Sequence, residues 1–202
     1  MEHLPLGAAP VERADAARNR RHLLATARAM LAEQGADTLT MDGLAERAGL
    51  GKGTVFRRFG TRAGIFRALL DDAERDFQEQ VISGPPPLGP GAPPLDRLIA
   101  YGQARVAFLI DHADIARATL DGGEPVPAGS RSPLSQLHIR MLLGQLDLGP
   151  ADLDMLAVQL TAALDGPLLL YLSSADLAAA PDRVGARITR GWQDLVQRVA
   201  RR

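Results

Sequence analysis

No cysteine occurs anywhere in the 202 residues. That excludes a disulfide scaffold, a thiolate metal site and cysteine nucleophiles. Lysine is almost missing as well: Lys52 is the only one, and arginine carries nearly all the positive charge. The four histidines (3, 22, 112 and 138) show no i,i+4 pairing with one another, so the spacing of a helical zinc site is absent. No Gly-x-Ser-x-Gly elbow, phosphate loop or paired-carboxylate pattern occurs either. Catalytic residues, cofactors and metals are therefore not expected, and the chain does not read as an enzyme. The longest apolar run, Gly166–Leu172, falls far short of the roughly 20 residues of a membrane span. The first residues lack the charged-then-apolar order of a secretory signal. A cytoplasmic protein with no membrane partner is the expectation.

What is present points to helix. Hydrophobic residues make up 46% of the chain, enough for a buried core in one large domain or two smaller ones. Nowhere do β-branched and polar residues alternate over a strand length, whereas apolar residues at helical spacing run through almost every segment. The fold class is all-α, with about nine helices. The net charge of −1 conceals an asymmetry. From Arg13 to Arg67 there are eleven Arg/Lys against five acids, a net of +6, which leaves −7 elsewhere. One end of the molecule is suited to a polyanion.

Along the chain, residues 1–12 hold two prolines and a glycine and read as a flexible tail. From about Asp15 to Gln34, Leu23, Leu24, Ala27 and Leu31 mark a helix that Gly35 closes. Thr40 can cap a short helix from Met41 to Ala48, with Asp42 in its first turn. Gly49 suits a tight turn, and a third helix runs from Lys52 to Phe59. Thr61 caps a fourth of about twenty residues. The stretch Ser83–Pro94, with six prolines and three glycines, cannot be helix and reads as an extended connector. Helices over Leu95–His112, Ala113–Leu120, Pro133–Asp147, Ala151–Ser173 and Pro181–Arg201 follow, with a Gly/Pro loop from Asp121 to Ser132. The domains expected are 13–60 and 61–202.

Two eight-residue helices joined by Ala48-Gly49-Leu50 are too short to be stable alone. Leu44, Ala45, Ala48, Leu50, Val55 and Phe59 form one inward set that can meet Leu23, Ala27 and Leu31. Lys52, Thr54, Phe56, Arg57 and Arg58 then face outward. A trihelical unit with a basic outer helix fits a DNA major groove.

The run Thr40-Met-Asp-Gly-Leu-Ala-Glu-Arg-Ala-Gly-Leu-Gly-Lys-Gly-Thr-Val-Phe-Arg-Arg-Phe-Gly-Thr-Arg resembles the DNA-binding signature of the TetR family of bacterial regulators. The resemblance extends from about Asn19 to Leu70. It implies a ligand-responsive regulator, most often a repressor, that binds double-stranded operator DNA. On that resemblance Thr40 offers its hydroxyl and N–H to a phosphate. Lys52, Gly53 and Thr54 lie nearest the bases, Arg57 and Arg58 reach bases or flanking phosphates, and Arg62 clamps the backbone. Three positions depart from the usual pattern. Phe56 replaces a tyrosine and loses its hydroxyl–phosphate bond, Arg58 replaces a frequent histidine, and Gly51 replaces a serine-like cap. Arg18, Arg20 and Arg21, at the start of the first helix, could be a DNA-contacting arm or a solvated surface.

The resemblance also implies a homodimer in which the last two helices pair with their copies. Val184, Ile188, Trp192, Leu195 and Val199 form one apolar stripe at helical spacing, and Leu153, Leu156, Leu160, Leu164 and Leu168 form another. Either stripe could instead be the protomer's own core. The dimer is favoured because a monomer would read one half-site only. The family's small-molecule pocket lies among the fourth to eighth helices. The candidates for it are Tyr101, Arg105 and Phe108 on the fifth helix, His138, Met141 and Leu142 on the seventh, and Gln159, Asp165 and Tyr171 on the eighth. For His138 and Met141 a purely structural role is the competing reading. Pro167, inside the eighth helix, deprives the Ala163 carbonyl of its partner.

Overall fold

The computed structural model describes residues 10–120, 133–172 and 179–201. Among these, nine α-helices and one short 3-10 helix form, with no strand. They are α1 (Pro10–Gln34), α2 (Met41–Arg47), α3 (Lys52–Phe59), α4 (Arg62–Ser83), α5 (Pro94–Asp111), α6 (Ala113–Leu120), α7 (Pro133–Leu143), α8 (Leu153–Leu172) and α9 (Pro181–Ala200), with the 3-10 turn at Ala36–Thr38. The chain divides into two compact units, Met1–Leu69 and Leu70–Arg202. The division falls inside α4 rather than at 60/61. Arg62, in the first turn of α4, is bound to carbonyls of residues 36 and 39 and so belongs with the helices before it.

In the first unit the short helices are held by caps and by a small core. Thr40 Oγ1 accepts from the Gly43 N–H at 3.0 Å, and Thr61 Oγ1 accepts from the Gly64 N–H at 3.1 Å, as the sequence led us to expect. Leu23, Leu24, Ala27, Met30, Leu44, Ala45, Val55 and Phe59 are buried. Leu50 and Leu31 are only half-buried. Met30 takes the inward place expected of Leu31. Helix α1 starts at Pro10, earlier than the expected Asp15, so residues 10–12 are helical and not part of a tail. Proline is well suited to a first helical position, because its missing N–H would have had no helical partner there.

The second unit has a core of its own. Helix α9 packs chiefly on α5, and α7 on α8. Phe77, Leu98, Tyr101, Phe108, Ile139, Leu142, Leu164 and Trp192 are among the buried residues that join these helices. The approach of α5 to α9 depends on Gly102, where a Cβ atom would lie 1.9 Å from the indole nitrogen of Trp192. The indole seats in that gap and donates to the Leu98 carbonyl at 3.1 Å.

Three expectations are corrected here. First, the apolar stripe of α9 faces inward. Val184, Ile188 and Trp192 are buried in the protomer core, and Val199 packs against its margin. On α8, Leu160 and Leu164 are buried, while Leu153 and Leu156 are half-buried against the same core. Of the ten residues assigned to a dimer seam only Leu195 is exposed, and the side chain of Leu168 lies outside the described residues. The physical reason is the α5 surface. Small residues and an open carbonyl on α5 accept the α9 stripe, and burying an indole contributes several kcal/mol.

Second, the proline-rich connector is compact, not extended. Gly84 N–H bonds the Gln80 carbonyl at 3.0 Å, Gly89 N–H bonds the Pro85 carbonyl at 2.9 Å, and Leu88 packs on the core. A Cβ at Gly89 would lie 1.8 Å from the Gly84 carbonyl oxygen, so the loop folds back on itself where only glycine fits. Third, α7 stops at Leu143, short of the expected Asp147, and Gly144 to Leu148 form turns. The expected loop 121–132 lies outside the described residues.

Candidate DNA-binding surface and ligand cavity

The α2–α3 turn is set by backbone chemistry. Gly49 has φ +64°, the left-handed conformation that glycine adopts without strain. Its N–H bonds the Glu46 carbonyl at 3.1 Å while the Leu50 N–H bonds the Ala45 carbonyl at 3.0 Å. This pair of bonds closes α2 in a Schellman arrangement and turns the chain into α3. His22 of α1 donates from Nε2 to the Ala48 carbonyl at 3.0 Å, fastening the turn from behind. Arg47 grips Glu33 through two bonds of 2.6 and 2.5 Å, joining α2 to the end of α1. The Arg47 guanidinium holds the Glu33 carboxyl below the usual carboxylate range. Neither His22 nor the Glu33–Arg47 pair was expected from sequence, because both act across 14 or more residues and no local pattern marks them.

On this frame α3 presents Lys52, Gly53, Phe56, Arg57 and Arg58 to solvent, with Thr54 half-exposed. Phe56 is 65% exposed, although it is a large apolar side chain. Gly51, the residue before α3, supplies no side-chain cap, so the first N–H groups of the helix have no side-chain acceptor from that residue. The four basic groups differ in how they are held. Arg57 has no hydrogen-bond or ion-pair partner among the described residues. Lys52 Nζ lies 2.7 Å from Asp42, in a pair with both side chains exposed. Arg58 leans toward α1 and donates to the Ala16 carbonyl at 3.0 Å.

Arg62 departs most from expectation. Its Nε donates to the Leu39 carbonyl and Nη2 to the Ala36 carbonyl, both at 2.7 Å, and its guanidinium lies 5.0 Å from the centre of the Phe66 ring. It is a strut from α4 to the segment just before Thr40, not an outward clamp. The Ala36 carbonyl also accepts from the Leu39 N–H at 3.3 Å, and the guanidinium supplies it with a second donor and the Leu39 carbonyl with one, which draws the arginine inward.

In the second unit a cavity of ≈ 190 Å³ opens between α4, α5 and α7. It brings together three of the expected effector residues, Tyr101, His138 and Met141. The rest of its lining was not expected: Glu74, Phe77, Gln78, Val81 and Ile82 from α4, and Leu134, Ser135 and Leu137 from α7. The 74/77/78/81 spacing on α4 was the available signal. Arg105, Phe108 and Asp165 stand behind the lining, and Leu142 is core. Gln159 is exposed on α8, outside the cavity, and the side chain of Tyr171 lies outside the described residues.

Behind the cavity wall Arg105, only 1% exposed, donates to Glu74 at 2.6 Å. Its guanidinium also lies over Phe108 at 5.1 Å and Phe77 at 5.7 Å. Asp165 is 4.0 Å from Arg105. Burial pushes the Asp165 carboxyl up, opposed by the Arg105 charge and assisted by Glu74. Burial pushes the Tyr101 phenol up to about 12, against a hydrogen bond with Ser135. Burial, aided by the charge of Arg97, lowers His138 to about 4, so its ring is neutral at pH 7. Tyr101 and His138 are in ring contact at 5.0 Å.

Residues 23–69 match the family described as bacterial regulatory proteins, tetR family. Among solved structures, the chain is similar to a tetR-family transcriptional regulator from Pectobacterium atrosepticum. The two share 20% identity and a TM-score of 0.74, over 94% of this chain and 98% of that one. A transcriptional regulator from Rhodococcus sp. Rha1 aligns at 18% identity and TM-score 0.62, covering 90% of this chain and 97% of that one. A TetR variant from Acinetobacter baumannii AYE, solved in complex with minocycline, aligns at 18% identity and TM-score 0.59, covering 89% and 97% of the two chains. At these identities the structural likeness concerns the fold. No curated protein matches the chain.

Proposed function

We propose that this chain, a tetR-family regulatory protein by its residues 23–69, represses transcription by binding a pseudo-palindromic operator as a homodimer, and that a small molecule in the α4/α5/α7 cavity releases it. The observation that carries the DNA-binding part is the exposed face of α3. Phe56 and the unpartnered Arg57 project there from a helix whose angle is set by the Gly49 turn. Apolar contact from Phe56 suits a thymine methyl, and an arginine fork suits a guanine edge. Lys52 and Arg58 are tethered only by one surface ion pair and one carbonyl, so either can exchange its partner for a phosphate. The Thr40 hydroxyl accepts from Gly43 and keeps its own proton for a phosphate oxygen.

The dimer is proposed through a different face from the inward stripe. Met155, Val158 and Leu170 on α8, together with Leu195 on α9, are exposed apolar residues. Gly191 of α9 is also exposed, with open space around its backbone. A two-fold pairing there would present two recognition helices to half-sites about 34–36 Å apart. Release by an effector requires that it bind one arrangement of the protein better than another. Helix α4 is the natural carrier, since it holds Arg62 in its first turn and Phe77, Gln78 and Val81 in the cavity.

The test is recovery of bound fragments from genomic DNA, followed by titration of the selected duplex at several salt concentrations. A specific site with a steep log–log salt dependence is the expected result. A flat dependence with no recovered site would sink the reading.

A further inference from the structure

Among the described residues the cavity lining carries no cation of its own, and its one carboxylate is already engaged. Glu74 accepts from Arg105 through one oxygen at 2.6 Å and from Gln78 through the other at 3.3 Å. A ligand carboxylate entering here would lose water beside Glu74 and gain no positive partner in the lining. A ligand ammonium would meet a carboxylate whose charge is already balanced by the Arg105 guanidinium at 2.6 Å. Charged groups taken out of water without a partner are strongly disfavoured.

Apolar surface, by contrast, is abundant. Phe77, Val81 and Tyr101 line the cavity, and Ile82, Leu134, Leu137 and Met141 line it while remaining exposed. Four large apolar side chains exposed around one concavity mark a binding surface. Within it one polar atom lacks a partner: Nε2 of His138 is buried and makes no hydrogen bond. A buried polar atom in that state is a standing cost, which a hydrogen-bonding guest removes. The neutral ring offers a donor or an acceptor at that nitrogen, according to tautomer, and a hydroxyl group can answer either.

We propose that this cavity takes a compact, uncharged, largely apolar molecule whose single hydrogen-bonding group meets Nε2 of His138. The assignment rests on reading the cavity as the effector site, and it adds the chemistry of the effector. The Tyr101 ring against His138 holds the imidazole in place, so the polar contact has a defined position on an otherwise apolar wall.

Four probes of one shape test it on the full chain by calorimetry: 2-naphthol, naphthalene, 2-naphthoate and 2-naphthylmethylammonium. The naphthol is expected to bind about five- to tenfold tighter than naphthalene, the gain of one satisfied hydrogen bond, and both ions more weakly than naphthalene. His138→Phe keeps an aromatic ring and removes the nitrogen, so naphthol and naphthalene should then bind alike. Met141→Trp, at an exposed position, should weaken both. Should His138→Phe fail to fold, the ¹⁵N resonance of Nε2 in the unaltered protein provides the same reading. It should move with naphthol and not with naphthalene. Either ion binding as tightly as naphthol, a naphthol preference that survives His138→Phe, a still Nε2 resonance under naphthol, or no binding by any of the four overturns the proposal. Operator affinity is measured in parallel. Naphthol binding as expected, with operator affinity unchanged, supports the ligand chemistry and overturns the effector reading of the site.

Discussion

The two units place their charges in opposite ways. The first unit keeps Lys52, Arg57 and Arg58 in water on an eight-residue helix, and its other ionic links, such as Arg47–Glu33, are also exposed. The second unit buries Arg105 behind the wall of a cavity, paired with Glu74 of the lining, and sets Asp165 nearby. An exposed cation keeps its hydration and can exchange a weak protein contact for a phosphate at little cost. A buried one is bound to its partner, because separation leaves a charge without compensation. The first unit therefore offers exposed cations that suit the polyanion of the proposed function. The second is built to hold its shape around an apolar space.

That contrast can be tested by substitution. Glu74→Ala removes the carboxylate 2.6 Å from the buried Arg105 and leaves Asp165, at 4.0 Å, as the nearby acid, and chemical denaturation should show a loss of about 3 kcal/mol. A loss below 1 kcal/mol would mean that the buried pair does not hold the second unit together. Arg57→Ala should behave in the opposite sense. Operator binding should weaken by about 1–3 kcal/mol, while stability stays within about 0.5 kcal/mol of the parent. If affinity for the selected duplex were unchanged, Arg57 would not read bases. Gly49→Ala forces a Cβ into the left-handed turn, and thermal unfolding should report a loss of about 1–2 kcal/mol. Arg47→Ala removes an exposed bidentate pair, and thermal unfolding should report a smaller change than Gly49→Ala gives.

A pH titration separates the units in a different way. His138 has a folded pKa lowered to about 4, against an ordinary 6.5. The unfolded chain therefore binds the extra proton first. The stability this group contributes is present above pH 6.5 and is lost as the pH falls toward 4. Unfolding midpoints followed over that range should fall with pH, and His138→Phe should flatten the part of the slope due to this residue. An unchanged slope in that variant would show that His138 is not the titrating group. Arg97, whose charge assists the lowering, remains as the neighbouring cation.

Legibility in the sequence followed the range of the interactions. Helix α3, its basic outer residues and both threonine caps could be read directly, because caps and helical periodicity act within four residues. The role of Arg62 could not. Its partners, Ala36 and Leu39, precede it by 26 and 23 residues. The cavity was legible in part. Tyr101, His138 and Met141 stood out as polar or pliant residues on apolar helices, while the α4 lining from Glu74 to Ile82 was not singled out.

The sequence by itself determined an all-helical chain with a basic helix-turn-helix at one end, since periodicity, capping residues and a turn glycine are local chemistry. Which way an apolar stripe faces is not local. The 4-4-3-4 spacing of Val184, Ile188, Trp192, Leu195 and Val199 is equally compatible with a partner subunit and with the protomer's own core. The tertiary structure buries Val184, Ile188 and Trp192 in the protomer core and leaves Leu195 exposed. Gly102 on α5 leaves a gap the size of an indole, and the Leu98 carbonyl waits for its N–H. The same holds for the connector from Gly84 to Pro93. Its composition excludes helix, but only the packing of Leu88 and the close approach of Gly89 to Gly84 make it a tight loop.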